Sequence, residues 1–470
     1  MRILLSCILS SVILITVVPF IAFAVEGDTL WTRTYGGTGR DGANCIIPSG
    51  DGGYLLAGST NFGMYLLKVD AHGDTMWTRA YGGTQGANCI IPSGDGGFLL
   101  AGQIGDQRGL VKVNAQGDIL WSHIYPVYGY DPSSGFSSVI PGNGDGFLLA
   151  GATSDRWGDF SWGSGNMVEV DEEGLVQLNI YYSVGSGPYT AFNSIVPSGD
   201  GDFLLPGWGG YFGTYALLVK VNGQGDVLWS HIYEGSVANS IIPSGDGGFL
   251  LAGSACGYDN PCIYLVKVNT EGDSLWSRTY SGGTTANAII STSDGNFLLA
   301  GFTALLQAPY DMCLAKVNLQ GDTLWTRAYG GSGYEEARSV IQTADGNYLV
   351  AGYTDSYGAG GGDMWLVCVE GPGLPAEERP IYQPISFGLA NHPNPFNAST
   401  TIVYDLPRAG HISLRVFDLL GREVAVLKDG FVEAGTHRVT FDCSNLPTGI
   451  YFARLEAGEF TQTKKLMLLK

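Results

Sequence analysis

The sequence predicts an all-β protein, a seven-bladed β-propeller followed by a small Ig-like β-sandwich. Glycine makes up 71 of the 470 residues, aromatic residues 12% and charged residues only 14%. This composition is typical of many short strands joined by tight turns. A strand-rich phrase also recurs along most of the chain, and a proline-rich segment separates it from a final region with a different strand pattern.

The repeat is organised around a Gly-Asp-x-x-Trp phrase. Its copies begin at Gly27, Gly73, Gly117, Gly225, Gly272 and Gly321, and a degenerate copy places Leu178 where the tryptophan stands elsewhere. Each unit contains four strand-sized runs, exemplified by Ala-Asn-Ser-Ile-Ile, Phe-Leu-Leu-Ala-Gly, Tyr-Leu-Val-Lys-Val and the run through the tryptophan. Asp-Gly pairs between the runs favour tight turns. Four strands in a unit of about 40–50 residues predict a propeller blade.

The two ends of the repeat array predict how the ring closes. The first Gly-Asp-x-x-Trp strand, Asp28 to Tyr35, precedes the first complete unit, and the last unit stops after Met364 to Glu370. We therefore expect the N-terminal strand to complete the last blade, so that residues 25–370 form seven blades. The repeats resemble secreted bacterial propeller repeats grouped with kelch-like and quinoprotein-like sheets, which implies architecture rather than activity. Quinoprotein dehydrogenases need cofactor ligands at the ring centre, and because no matching acidic or cysteine pair is found, we predict no cofactor.

The N-terminus has the pattern of a secretory signal peptide over residues 1–24. Arg2 precedes an apolar run, and Ala22-Phe23-Ala24 supplies the small residues that a signal peptidase recognises. The alternative is an uncleaved membrane anchor; no other long apolar segment exists, so no membrane span is predicted in the mature chain. Cys256 and Cys262 lie in one loop and could form a disulfide after export. The chain has six histidines and no Cys-x-x-Cys, so we predict no metal site.

The C-terminal region follows a proline-rich linker, residues 371–384, and spans residues 385–470. Its short strands suit a small β-sandwich. The motif residues Asn391, Pro393, Asn394, Pro395 and Phe396, together with the basic end at Lys464, Lys465 and Lys470, resemble the type A C-terminal sorting domain of the type IX secretion system. The resemblance implies passage through the periplasm, the type IX machinery as partner, and a secreted or cell-surface protein. The alternative is an ordinary Ig-like module.

The charge distribution excludes several classes of partner. The formal net charge is −20, and the excess of acidic residues lies in the propeller region. An acidic surface repels phosphate groups, so we expect neither nucleic-acid binding nor adhesion to anionic lipids. We expect a monomer.

Residues that recur at the same position in the blades are predicted to be structural. The innermost strand carries Asn44, Asn88, Asn193, Asn239 and Asn287, with Ser137 and Arg338 in the other two blades. We expect these amides to satisfy backbone groups between neighbouring blades, although a polar ring around the axial channel is an alternative. One aspartate per turn does not supply the 6–8 oxygens of a calcium site, so the repeated aspartates are interpreted as turn residues.

The candidate binding residues lie in the long, asymmetric loops of blades two to four. They are Tyr128, Tyr130, Trp157, Asp159, Phe160, Trp162, Trp208 and Tyr211. Aromatic rings interspersed with carboxylates and glycine suit a glycan, and they equally suit a protein partner. The alternative is that these rings only pack the loops together.

Catalytic motifs are missing from the sequence. It contains no Gly-x-Ser-x-Gly, P-loop or His-Glu-x-x-His. Asp131, Asp155 and Asp159 are the only candidates for the paired carboxylates of a polysaccharide hydrolase or lyase on the same face. We therefore predict a secreted or cell-surface binding protein and assign no catalytic residue; the alternatives are such an enzyme or a purely structural surface component.

Overall fold

A computed structural model describes residues 26–372 and 388–469, apart from residues 62, 83–85, 106, 127–134, 143–145, 158–159, 186, 211–214, 256–261, 281–282, 304–309, 393, 407–409, 433–434 and 459. Within these residues the regular secondary structure consists of β-strands, as predicted. The predicted signal peptide and most of the predicted linker lie outside the described residues. No helix in the described part is long and apolar enough to cross a membrane.

The propeller strands are as follows: β1 (Thr29–Tyr35), β2 (Gly42–Pro48), β3 (Tyr54–Thr60), β4 (Gly63–Val69), β5 (Thr75–Ala80), β6 (Ala87–Pro92), β7 (Phe98–Ile104), β8 (Gln107–Val113), β9 (Ile119–Tyr125), β10 (Gly135–Pro141), β11 (Phe147–Trp157), β12 (Phe160–Val170), β13 (Val176–Tyr182), β14 (Tyr189–Phe192), β15 (Val196–Pro197), β16 (Phe203–Gly210), β17 (Tyr215–Val221), β18 (Val227–Tyr233), β19 (Val237–Pro243), β20 (Phe249–Ala255), β21 (Cys262–Val268), β22 (Ser274–Tyr280), β23 (Thr285–Ser291), β24 (Phe297–Phe302), β25 (Met312–Val317), β26 (Thr323–Tyr329), β27 (Glu335–Gln342), β28 (Tyr348–Thr354) and β29 (Asp363–Val369).

These strands form seven antiparallel blades, which confirms the predicted fold. Six blades follow the chain as β2–β5, β6–β9, β10–β13, β14–β18, β19–β22 and β23–β26, and the seventh joins β27, β28 and β29 to β1. The middle strands of each blade are apolar on both faces because they are buried between neighbouring blades; β21, for example, is buried along its whole length. Outer strands such as β18 alternate between exposed and half-buried residues because one face meets solvent.

The N-terminal strand closes the ring, as predicted. β1 pairs antiparallel with β29, with Arg33 opposite Leu366 and Tyr35 opposite Met364. The pairing continues beyond the strand, since the Gly27 amide donates to the Glu370 carbonyl at 2.8 Å. The last blade therefore draws strands from both ends of the repeat array.

A tyrosine hydroxyl joins each blade to the next. The hydroxyl at the end of each outer strand donates to a turn glycine carbonyl in the following blade at 2.6–2.9 Å, and the seven pairs are Tyr35–Gly73, Tyr81–Gly117, Tyr125–Gly174, Tyr182–Gly225, Tyr233–Gly272, Tyr280–Gly321 and Tyr329–Gly27. The glycine is the first residue of the Gly-Asp-x-x-Trp phrase, so the repeat phrase also serves as an inter-blade contact.

The repeated amides contact the neighbouring blade, in agreement with the structural interpretation. Asn44, Asn88, Asn193, Asn239 and Asn287 each donate to a backbone carbonyl of the next blade at 2.8–3.2 Å. The turn aspartates behave equally uniformly. Asp95, for example, accepts from Ser93 Oγ at 2.5 Å and pairs with Lys112 Nζ at 2.9 Å.

The C-terminal domain is a sandwich of two sheets. Its strands are β30 (Gly388–His392), β31 (Ser399–Leu406), β32 (Gly410–Asp418), β33 (Glu423–Val432), β34 (Gly435–Asp442), β35 (Gly449–Ala457) and β36 (Phe460–Leu468). One sheet has the order β30-β31-β34 and the other β33-β32-β35-β36. Their facing side chains, among them Ile402, Leu414 and Leu466, form a separate core. The predicted strand pattern is confirmed, and the first described strand begins three residues after the predicted boundary.

Candidate functional site

The aromatic segment of blade three continues the β-hairpin; the expectation of an irregular loop there was wrong. β11 and β12 are eleven residues long, and their register places Asp155 opposite Trp162 and Trp157 opposite Phe160. The other candidates, Tyr128, Tyr130, Asp131, Asp159 and Tyr211, lie outside the described residues.

Trp208 is the candidate aromatic whose surroundings the structure describes. It lies in β16, half-buried, opposite Ala191 on one side and Ala216 on the other. Small neighbours on both adjacent strands leave space beside the indole. A binding role for Trp208 and the hairpin residues stays a prediction.

A different group of functional side chains lies between blades six, seven and one. Two loops with the same phrase, Tyr-Gly-Gly-[Thr/Ser]-Gly-x-[Asp/Glu], lead into the innermost strands of blades one and seven. The first runs from Tyr35 to Asp41 and the second from Tyr329 to Glu335. Arg40 and Tyr334 occupy equivalent positions in the two loops, and both contact the ring of Tyr353.

Each loop is fixed by a pair of carboxyl groups. A Cβ added to Gly36 would lie 2.3 Å from Asp363 Oδ1 and 2.5 Å from Asp41 Oδ2. A Cβ added to Gly330 would lie 1.9 Å from Asp311 Oδ1 and 2.6 Å from Glu335 Oε2. Only glycine permits such a close approach of carboxylates to the backbone.

The carboxyl groups are hydrogen-bonded to the backbone of these loops. The Gly331 amide donates to Glu335 Oε2 at 2.9 Å, and the equivalent Gly37 amide donates to Asp41 Oδ2 at 2.8 Å. Glu335 Oε1 also accepts from Thr354 Oγ1 at 3.0 Å. Burial, and then the nearby Glu335, raise the pKa of Asp311. With their oxygens occupied by backbone donors, the pairs serve to hold the loops in place.

Tyr353 is the centre of the surrounding aromatic cluster. It is 3% exposed, and its hydroxyl donates to Asp355 Oδ1. The guanidinium of Arg40 stacks 4.9 Å from its ring centroid, and that of Arg338 lies 5.8 Å away. Tyr334 packs against the same ring at 6.0 Å. Two cations therefore share one buried aromatic ring.

The cluster ends in an exposed tyrosine. Tyr310 is 43% exposed, yet its ring is held from two sides, 5.7 Å from Phe302 and 5.4 Å from Tyr334. We define the Arg338 cluster as Arg40, Phe302, Tyr310, Tyr334, Glu336, Arg338 and Tyr353.

Arg338 connects this cluster to the axial ring of amides. Its Nη1 donates to Asn44 Oδ1 at 2.8 Å, and its Nε donates to Glu336 Oε2 at 3.0 Å. Glu336 Oε2 also accepts from the Tyr334 hydroxyl at 3.2 Å, and its Oε1 accepts from Asn287. Where other blades carry a neutral amide, blade seven carries a fixed ion pair between two tyrosines.

Sequence reasoning missed the Arg338 cluster, although one signal was available. Arg338 interrupts the otherwise uniform series of polar residues on the innermost strand. Its importance was not apparent because Phe302, Tyr310, Tyr334 and Tyr353 come from three separate segments. Within the described residues, no group of three or more histidine, cysteine, aspartate or glutamate side chains could hold a metal ion.

The predicted disulfide is described at one of its two cysteines. Cys262 is disulfide-bonded. Cys256 lies outside the described residues, so the pairing of these two cysteines stays a prediction.

The motif residues of the C-terminal domain attach its last strand to the first sheet. Asn394 Nδ2 donates to the Lys465 carbonyl at 2.8 Å, and the Met467 amide donates back to Asn394 Oδ1 at 2.8 Å. The Phe396 amide donates to the Met467 carbonyl, and its ring is buried in the core. Asn391 is buried and donates to Thr400 Oγ1 at 3.1 Å.

The basic residues of the motif lie on the last strand. Lys464 is half-buried and Lys465 is exposed, both on β36. Pro395 is exposed beside Asn394. Pro393 and Lys470 lie outside the described residues.

The solved structures most relevant here share low sequence identity with the chain. PorZ, an essential bacterial surface component of the type-IX secretion system of Porphyromonas gingivalis, is 12% identical, with 96% of this chain and 61% of that chain covered and a TM-score of 0.43. A protein of unknown function from Bacteroides caccae is 15% identical, with 58% and 93% covered and a TM-score of 0.40. A quinohemoprotein alcohol dehydrogenase from Pseudomonas putida HK5 is 10% identical, with 77% and 78% covered and a TM-score of 0.44.

At these identities and TM-scores the neighbours carry no information on what this chain binds. No curated protein sequence matches the chain. The family model of the secretion system C-terminal sorting domain, in contrast, matches residues 391–469. The C-terminal sandwich is therefore a type IX secretion-system sorting domain, and the protein is exported to the cell surface or secreted.

Proposed function

We propose that the exported propeller is a glycan-binding protein of the cell surface and that the Arg338 cluster is its binding site. The observation that carries the proposal is Tyr310, an exposed ring held in place by two other rings beside a stacked guanidinium. An exposed aromatic ring that packing keeps fixed loses little conformational entropy when a ligand binds it.

The chemistry around Tyr310 suits a sugar ring. A flat aromatic face accommodates the C–H groups of a pyranose, and the surrounding polar groups supply donors and acceptors for its hydroxyls. Arg40 presents a planar guanidinium held over Tyr353, and no described carboxylate forms an ion pair with it. Asp355, exposed on the same side of Tyr353, offers a carboxylate oxygen.

The test begins with a glycan array probed with the full secreted protein, followed by calorimetric titration of the strongest ligand. Tyr310→Ala and Arg40→Ala should each weaken binding by about 30-fold, equivalent to about 2 kcal/mol. Tyr181→Ala is the control, because Tyr181 is 46% exposed on the outer strand β13, away from the cluster. Unchanged affinity in both cluster variants would contradict the assignment of the site.

Trp208→Ala measures the site expected from the sequence in the same titration. A loss of affinity confined to this variant would move the site to blades three and four. The absence of any glycan ligand on the array would leave the structural or protein-binding alternatives and contradict the proposal itself.

A further inference from the structure

A second ring of small polar side chains follows the amide ring on the innermost strands. Its members, in blade order, are Cys45, Cys89, Ser138, Ser194, Ser240, Ala288 and Ser339. Blades one and two are adjacent in the ring, and they alone place cysteines at this position. The thiols lie in the middle of the strands rather than in a loop, so their relative positions are fixed by blade packing.

The two thiols contact each other across the blade boundary. Cys45 Sγ lies 4.0 Å from the carbonyl oxygen of Ile90, the residue that follows Cys89. The side chains of Cys45 and Cys89 are hydrogen-bonded to one another. Cys89 in turn lies 3.9 Å from the Val139 carbonyl oxygen in blade three. Both residues are half-buried rather than sealed in the core.

We propose that Cys45 and Cys89 are a redox site that closes to an inter-blade disulfide after export. Formation of the bond needs only a rotation of the Cys89 side chain toward Cys45, because the sulfur atoms are already in contact. The bond would link the first two blades and enclose the chain between residues 45 and 89.

The oxidant is a disulfide, carried by a thiol–disulfide oxidoreductase or by a small thiol compound. The Cys45 thiolate attacks one sulfur of the donor, forms a mixed disulfide and releases the first donor thiolate. Cys89 then loses its proton and attacks Cys45 Sγ, which releases the second donor thiolate. Two cysteine thiols are thereby oxidised by two electrons, the donor disulfide is reduced to two thiols, and the two protons pass to the released thiolates.

The local contacts assign the order of attack. A hydrogen bond from Cys89 lowers the pKa of Cys45, whereas the same contact and burial raise the pKa of Cys89. Cys45 is therefore the nucleophile and Cys89 the resolving thiol. Cys262, in the same exported chain, is already disulfide-bonded.

The test is peptide mapping of the full-length protein purified from culture without reductant. Free thiols are alkylated under denaturing conditions, and the protein is digested with trypsin. The bond should join the peptide 41–68 to the peptide 80–108, with a mass about 2 Da below the sum of the two dithiol peptides. Residues 256 and 262 fall within one tryptic peptide, so their bond serves as an internal control for oxidation.

Two outcomes are decisive. Recovery of the joined peptides supports the proposal. Recovery of alkylated Cys45 and Cys89 from a sample in which the peptide containing Cys262 is oxidised would overturn it.

A double variant, Cys45→Ser with Cys89→Ser, separates the bond from general packing. Serine occupies this ring position in four other blades, so the variant should fold. Reductant should lower the melting temperature of the wild type more than that of the variant, because only the wild type loses the inter-blade bond. Equal shifts in the two proteins would contradict the proposal.

Discussion

At the scale of single residues, each blade is fastened by a turn aspartate that contacts a lysine and a hydroxyl. In the turns of blades two, four and five, these contacts lower the pKa of Asp95, Asp200 and Asp246 to about 2. For Asp95 the larger cause is the hydrogen bond from Ser93, followed by that from Lys112. Charged aspartates therefore favour the folded state.

The first prediction concerns acid stability. Because the folded-state pKa is below the ordinary value near 3.8, the stabilisation is complete above about pH 4 and is lost as the pH falls toward 2. Asp95→Asn should lower the melting temperature at pH 7, and the difference from wild type should shrink toward pH 2. Thermal unfolding followed by circular dichroism at the two pH values checks this. A difference that is the same at both would show that the Asp95 carboxylate contributes nothing through its charge.

The second prediction concerns the glycine that begins each Gly-Asp-x-x-Trp phrase. Gly272 has a φ of +82°, and an added Cβ would lie 2.6 Å from His231 and 2.7 Å from Trp229 of the preceding blade. Gly247 also has a positive φ, +97°, but nothing lies within 4 Å of its added Cβ. Gly247→Ala should cost about 1–2 kcal/mol through backbone strain alone. Gly272→Ala should cost a further 1–3 kcal/mol through overpacking, at order of magnitude.

Urea titration of both variants measures the difference in free energy of unfolding. The matched pair is informative because the two glycines share the strained conformation and differ in their surroundings. Equal losses would show that the contact between the glycine and the tryptophan of the preceding blade is not tight.

At the scale of strands and hairpins, the repeat made most of the fold predictable. Alternation and turn residues recur in every blade, so one well-defined copy such as β19 to β22 interprets the degenerate ones. The hairpin of β11 and β12 was missed because Gly158 and Asp159 suggest a loop. The alternation of Phe160 and Trp162 around Ser161 was a strand signal of period two.

The candidate site was less predictable for a physical reason. A blade repeats along the sequence, but the Arg338 cluster joins segments separated by as many as 300 residues, including Arg40 and Tyr334. Their convergence on Tyr353 depends on ring closure, which brings the first loop of the array beside the last blade. Local patterns contain no information on that contact.

The third prediction concerns the closing strand. Removal of residues 25–36 should leave β29 with an unpaired edge, lower the melting temperature and promote self-association. Glu26→Gln is a milder change, since Glu26 pairs with the fully buried Lys316 and accepts from the Tyr348 hydroxyl at 3.1 Å. It should lower the melting temperature without association, as size-exclusion chromatography with light scattering can show. An unchanged melting temperature in the deletion variant would contradict the role of β1 in closure.

At the scale of the whole molecule, sevenfold repetition and function lie in different residues. The tyrosine–glycine and asparagine contacts are repeated around the ring and account for its closure. The Arg338 cluster occurs once, where the two ends of the repeat array meet. Since a ligand site has no need of symmetry, departures from the repeat are the residues to test for binding.

The last prediction concerns export. Removal of residues 385–470 should leave the propeller folded in the periplasm of a host with the type IX machinery, because the sorting domain has its own core. Asn394→Ala removes the side chain that donates to Lys465 and accepts from Met467, and so loosens the last strand. Asn397→Ala is the matched control, an exposed asparagine three residues later. Cell fractionation with an antibody against the propeller should find the truncated protein in the periplasm, the Asn394 variant reduced at the surface and the Asn397 variant at the wild-type level. Arrival of the truncated protein at the surface would show that export does not depend on this domain. A normal surface level of the Asn394 variant would instead show that the machinery does not require a firmly held last strand.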